Sequence, residues 1–367
     1  MQEEDLLYVL ALQHVKGIGD INAKKLISHC GSAKNVFKEK RNLIEKINGI
    51  GTFTIRHLSD TNNLKEAEKE LNYIQKNNIE ISYFLDADYP EKLKHCVDGP
   101  ILIFKKGNIS LKNQPIISIV GTRKITSYGR GFCEQLIEDL KEFNPIIVSG
   151  FAYGVDICAH KAAIKNNLQT IGVLAHGFED FYPKSHKKYT SEVENNGGFI
   201  TDFWHDETPL RENFLKRNRI VAGISEATII IESAEKGGSL VTADIANSYA
   251  RDVFAVPGRS TDKLSQGCNN LIKQNKAAML TSAKDLIEFL NWDVKSKPQK
   301  VIQKQLFVEL NEPEQKIVDF LMENGKELLD IIAINCNLPI HKTTTILFNL
   351  EMKGVVKPLP GKLFEAI

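Results

Sequence analysis

Residues 115–150 read PIISIVGTRKITSYGRGFCEQLIEDLKEFNPIIVSG. Two apolar runs, Pro115 to Val120 and Pro145 to Ser149, each end at a glycine, Gly121 and Gly150. A helix-like stretch, Ser127 to Glu142, separates them. Continuous β-branched runs are strands buried on both faces, and a helix between two of them is a parallel crossover. Outward from this stretch the theme repeats. A helix is expected from about Asp156 to Lys165 and a strand over Thr170 to Ala175, ending near Gly177. Further strands fall at Ala227 to Ile231 and Val253 to Val256, with a helix from about Ser239 to Ala250 between them. The predicted fold is α/β: a Rossmann-like, doubly wound parallel or mixed sheet over residues 81–292.

The flanks differ in character. Residues 1–80 read as short helices with glycine-containing turns. Val15-Lys-Gly17-Ile18-Gly19 and Ile47-Asn-Gly49-Ile50-Gly51 both suggest helix-hairpin-helix turns. Such turns offer backbone N–H groups to DNA phosphates or serve as protein contacts, and the residues leave both open. Residues 293–305 are a polar, lysine-containing linker. Residues 306–367 read as a small winged-helix-like domain: a helix over Leu328 to Ile334, a turn at Asn337-Leu-Pro339, a recognition-like helix over Ile340 to Lys353, and a wing from Val355 to Phe364. That helix carries His341, Lys342 and Lys353 as its basic groups, which is thin for groove binding, so protein contact is an equal expectation.

Composition bounds the partners. The chain has 367 residues, 42% of them hydrophobic and 25% charged, with a net charge of +1. A near-neutral total cannot hold a polyanion by long-range field, so any nucleic acid must meet local basic patches. Cys30, Cys96, Cys133, Cys158, Cys268 and Cys336 form no CxxC pair, which gives no support to a zinc knuckle, and reduced, mostly buried thiols are expected. The start, MQEEDLLYVL, lacks a signal peptide's basic region, and no apolar run approaches membrane-spanning length. The expected location is cytoplasmic.

In a doubly wound sheet, ligands bind beyond the carboxyl ends of the strands. Gly121-Thr122-Arg123-Lys124 follows the first strand, and Ser149-Gly150 with Gly154 and Asp156 follows the second. Glycine lets backbone approach a phosphate, and the helix N-terminus beyond it presents free N–H groups. Asp156 and His160 read as a helix cap and a helix-face histidine rather than a catalytic pair. After the third strand, Tyr182-Pro-Lys184-Ser-His186-Lys-Lys-Tyr189 interleaves aromatics with cations, the composition single strands favour. Arg217, Asn218 and Arg219 precede an apolar helix, and each arginine reads either as a DNA contact or as part of a buried ion pair. Gly238, Ser239 and Thr242 form another phosphate cradle.

The ordered set GTR, SGxAxGVDxxAH, YPxxxxxY, FxxRNRIVAG, GGSLVTA, RDVFAVPG and GxNxLI closely resembles the DprA/Smf family of DNA-processing proteins over about residues 115–280. The resemblance implies single-stranded DNA binding, homodimerisation, and loading of the RecA recombinase during natural transformation. It also implies protection of incoming DNA, contact with other single-stranded-DNA-binding proteins, and no cofactor, metal or catalytic residue. Carried over, Arg123 and Lys184 are the main DNA-contacting cations, with Arg217 and Arg219 secondary. The resemblance extends the interface to Gly121, Thr122, Ser149, Gly150, His186, Asn218, Gly238, Ser239 and Thr242. His186 stands where the family usually has asparagine. The rival reading is a nucleotide phosphoribohydrolase-like enzyme of the lysine-decarboxylase-like group. Its loop needs a Gly-Thr pair where this chain has Leu240-Val241, and a proline where it has Lys236.

Overall fold

An apolar run without polar alternation can be a strand only where both faces are covered. The computed structural model, which describes residues 3–292, 310–359 and 361–366, covers them. Among the described residues nine strands form one sheet: β1 (Glu80–Tyr83), β2 (Leu102–Gly107), β3 (Ile116–Val120), β4 (Ile146–Ser149), β5 (Thr170–Val173), β6 (Gly197–Thr201), β7 (Ala227–Ile230), β8 (Asp252–Ala255) and β9 (Ala278–Met279). Their order is β1-β2-β6-β5-β4-β3-β7-β8-β9. From β6 to β9 along that order the pairs are parallel, while β2 is antiparallel to both β1 and β6.

Helices Ser127–Asp139 and Val155–Lys165 bury one face with Ile117, Ile119, Ile147 and Ile229. Helices Arg211–Ile224 and Gly238–Ser248 bury the other with Val120, Val148, Val173 and Ile230. The chain builds outward from β3 through β4 and β5 to β6, then returns to the far side of β3 for β7 and β8. The strand order therefore reverses beside β3, and a crevice opens at the carboxyl ends there.

The antiparallel edge was not among the strands expected from sequence. β6 begins with Gly197-Gly198, which reads as a turn, yet a Cβ on Gly197 would lie 2.1 Å from the Thr170 carbonyl oxygen and one on Gly198 2.2 Å from that of Lys106. Glycine is what lets β6 fit between β5 and β2. Lys105 breaks the apolar run of β2, but it is buried and pairs with Asp88 at 3.2 Å.

The N-terminal helices are continuous with the sheet. Leu10, Leu26 and Ala67 share one core with Leu102, Phe104, Phe151 and Phe199, and residues up to 292 belong to one compact unit. Trp204 Nε1 donates to Gln13 Oε1 at 2.9 Å, and Gln13 Nε2 donates to the Asp202 carbonyl at 3.1 Å. Asp20, which opens helix Asp20–Cys30 just past the first hairpin turn, accepts the Ile101 N–H at 2.9 Å and pairs with Arg219 at 3.0 Å. Arg219 also pairs with Asp202. Burial opposes the charge of Arg219, but Asp202 and Asp20 outweigh it and raise its pKa.

The second unit has its own core of Ile317, Leu321, Ile332, Leu347, Leu350 and Val356. An Asn311–Glu314 capping box starts helix Glu312–Asn324. Helices Leu329–Asn335 and Ile340–Met352 follow, then a hairpin of Val356–Leu359 and Leu363–Ala366, in the order a winged-helix domain requires. The linker expected at residues 293–305 lies outside the described residues. All six cysteines are free and all but Cys30 are buried. No described helix is long and apolar enough to cross a membrane.

Arg219→Ala leaves the buried Asp202 carboxylate with only the more distant, half-exposed Lys216 ammonium at 3.8 Å, and breaking such a buried pair costs about 3–5 kcal/mol. A urea titration should show that loss as a lowered midpoint. An unchanged midpoint would refute the ion pair as the link between the helical layer and the sheet.

Candidate functional site

The loops leaving β3, β4 and β7 converge at the strand-order reversal because they are dovetailed. Thr122 N–H donates to the Glu232 carbonyl at 2.7 Å, and the Thr122 carbonyl accepts from Val155 N–H at 3.1 Å. A Cβ on Gly121 would sit 2.6 Å from Val155 Cγ2, so the two loops touch as only glycine allows. The buried Glu232 carboxylate accepts from Thr126 N–H at 2.9 Å and from Thr126 Oγ1 at 2.5 Å, and Thr126 in turn caps helix Ser127–Asp139.

These loops and helix Arg211–Ile224 enclose a cleft of about 450 Å³. Of the residues expected from sequence, Gly121, Thr122, Arg123, Gly150, Arg217, Asn218, Gly238, Ser239 and Thr242 line it. Ser149 lies beneath, fully buried, its Oγ donating to the Ile119 carbonyl at 2.6 Å. Lys184 is exposed on the short helix Lys184–Tyr189 and is not part of the lining. His186 is buried, with Nδ1 3.1 Å from the Phe151 carbonyl, and burial pushes its pKa down. Arg219 is buried in the ion pairs with Asp202 and Asp20, away from the cleft lining.

Arg217 forms the floor. Its Nη1 donates to the Gly150 carbonyl at 2.6 Å and to the Val173 carbonyl, at the ends of β4 and β5. Burial lowers its pKa to about 10 while Asp156 opposes the shift, so it stays charged at neutral pH. Asp156 lines the same floor, and burial raises its pKa, with Arg217 pulling the other way. Above the floor, the Phe214 ring is within cation–π reach of two guanidiniums, Arg123 at 5.4 Å and Arg217 at 5.9 Å from its centroid. Tyr182 meets the same ring edge-on at 5.7 Å. Arg123, Arg211, Arg217 and Lys236 thus face one lining carboxylate, Asp156. A local basic patch therefore exists in a chain of net charge +1. The N-terminus of helix Gly238–Ser248 opens onto the cleft, with no side-chain cap at Gly237 and open space around Gly238. Such a terminus suits an anion.

Arg211 and Phe214 are not among the residues singled out from sequence as contacts. The signal was available: Arg211, Phe214, Asn218 and Val221 recur at the three- and four-residue spacing of one helix face.

The profile of the DNA recombination-mediator protein A family matches residues 80–291. The DNA processing protein DprA of Streptococcus pneumoniae is 39% identical over 203 residues, which cover 55% of this chain and 71% of that protein. Its X-ray structure superposes with a TM-score of 0.66 at 32% identity, covering 78% of this chain and 98% of the other. The DNA processing protein A of Helicobacter pylori, whose structure is described as giving insight into a unique single-stranded DNA binding mode, matches with a TM-score of 0.52 at 29% identity, covering 58% and 96%.

Two glycines in the cleft should behave differently. A Cβ on Gly150 would lie 2.5 Å from Arg217 Nη2 and 2.6 Å from Asp156 Oδ2, whereas one on Gly238 meets nothing within 4 Å. Gly150→Ala should therefore lose about 1–3 kcal/mol of stability through overpacking, while Gly238→Ala melts like the parent. Thermal denaturation of both variants checks this, and equal melting would contradict a rigidly held guanidinium.

Proposed function

The chain belongs to the DNA recombination-mediator protein A family, and on that premise we propose that the cleft at the β3 reversal binds single-stranded DNA. The observation that carries the reading is the Phe214 ring in contact with both Arg123 and Arg217, on a lining where four cations face one buried carboxylate. Exposed Arg123, Arg211 and Lys236 receive phosphates. Arg123 is suited to forked contacts and Lys236 acts as a point charge. The free amides at Gly237 and Gly238 add neutral donors. Phe214 and the exposed edge of Tyr182 offer faces on which bases stack, a sequence-tolerant contact. Arg217, Asp156 and Ser149 position this surface and do not themselves reach the strand. Lys184, two residues beyond Tyr182, carries the backbone onward along the loop.

With this reading go the family's finer properties. The protein protects incoming strands during natural transformation, loads RecA onto them, and works as a homodimer in the cytoplasm alongside other single-stranded-DNA-binding proteins. Light scattering at micromolar concentration should give twice the chain mass, and a monomer would overturn the dimer. The reading assigns no catalytic step, cofactor or metal. Release of free adenine from AMP would count for the phosphoribohydrolase instead.

Arg123→Ala and Lys184→Ala should each weaken binding to every oligonucleotide sequence alike, flattening the log–log salt slope by about 0.7 per lost contact. Phe214→Ala should cost about 1–3 kcal/mol of binding. All three should melt near the parent temperature, since their exposed or half-exposed side chains carry little stability. Undiminished binding by a folded Arg123→Ala/Lys184→Ala double variant would sink the assignment.

A further inference from the structure

A second depression, of about 230 Å³, lies on the other side of the Tyr182–Tyr189 loop, lined by Arg130, Cys158, Lys161, His186, Lys188 and Tyr189 among others. Arg130, Lys161 and Lys188 are exposed, come from three different elements, and form no ion pair among the described residues. Glu134, one helical turn beyond Arg130, acts on the lining thiol of Cys158 together with Arg130 and Lys161, so three cations gather around one carboxylate. An excess of like charge costs stability, so such a cluster points to an anion supplied from outside. An aromatic ring belongs to the same cluster. The Lys161 and Lys188 ammonium groups each lie 5.0 Å from the Tyr189 ring centroid. Its phenol is pulled below the usual range, first by its hydrogen bond with Lys188 and then by the charges of Lys161 and Lys188.

The loop connects this depression to the cleft. Tyr182 touches Phe214 at one end, and Tyr189 contacts Lys161 and Lys188 at the other. In between, Tyr153 Oη and Ser185 Oγ are 2.9 Å apart, fixing the loop to the Gly150 turn. The 3-10 helix Lys184–Tyr189 spans roughly 12 Å at about 2 Å per residue. We propose that the Arg130–Lys161–Lys188 depression is a second phosphate-binding station, which takes the backbone of a single strand after it has crossed the cleft and passed Lys184. This inference rests on the proposed single-strand reading of the cleft and extends its footprint.

The test compares oligo-dT of about 4 and about 16 nucleotides, the range over which single-strand sites vary. It uses the full chain as parent, Lys161→Ala/Lys188→Ala, Lys161→Arg/Lys188→Arg, Arg123→Ala, and a control, Lys273→Ala/Lys284→Ala, that removes two exposed charges outside both pockets. The alanine pair should keep the short-strand affinity. It should lose about tenfold for the long strand near 0.2 M salt, with a salt slope shallower by about 1.4, as two lost contacts require. The arginine pair should retain long-strand binding, and the control should match the parent at both lengths. Loss at neither length in the alanine pair, equal loss at both, or the same loss in the control overturns the second station, provided Arg123→Ala still weakens both strands. If Arg123→Ala weakens neither, the cleft reading fails first, and the two failures are thereby told apart. Melting temperatures of all variants separate lost contacts from lost folding.

Discussion

The guanidinium of Arg217, donating to the carbonyl ends of β4 and β5, is the contact on which the cleft depends. Strand-end carbonyls at a strand-order reversal have no further ladder to join, and a buried one without a donor is costly. Arg217 satisfies two of them with a charge that would itself be expensive to bury alone, and Asp156 offsets that expense. The arrangement demands a residue without a side chain at Gly150 and supplies a flat cation on which Phe214 rests. Two residues further along the same helix, Arg219 points elsewhere, into Asp202 and Asp20. One helix thus carries the floor of the cleft and the tie to the N-terminal helices.

The RNR segment shows both what was legible in the sequence and what was not. Its arginines admitted either DNA contact or burial, and the helix phase decides: both are buried, while the exposed cations of the cleft are Arg123, Arg211 and Lys236. The central strands were readable because Ile116–Val120, Ile146–Ser149 and Ala227–Ile230 are unbroken apolar runs. β6 was hidden because its leading glycines answer to tertiary crowding rather than to a local turn. The glycine loops after β3 and β4 could be placed at the ligand crevice because strand ends alone determine that position. Arg211 and Phe214 share a helix face with Asn218 and Val221, which their spacing encodes, but that this face meets the strand ends depends on how a helix preceding β7 docks.

Electrostatics explains how a chain of net charge +1 offers a polyanion site. Three carboxylates beneath or beside the cleft are used internally: Glu232 on Thr126, Asp156 on the Ala152 N–H, and Asp202 on Arg219. These three are withdrawn into the fold, and the cleft lining itself carries four cations against Asp156, so the cations dominate the field there. The winged-helix unit follows a different design. Phe348 and Met352 are well exposed on its recognition-like helix, so the surface it presents there is more apolar than basic.

The position of β6 also bears on the order in which the chain can mature on the ribosome. β2 ends at Gly107, but its second antiparallel neighbour, β6, begins at Gly197, and Phe199 helps to close the core beneath the N-terminal helices. Those helices and β1–β2 therefore emerge with an apolar face that stays open until about 90 further residues have been translated, on the order of 10 s at ordinary elongation rates. During that interval the nascent segment is the part of the molecule most in need of a chaperone's cover.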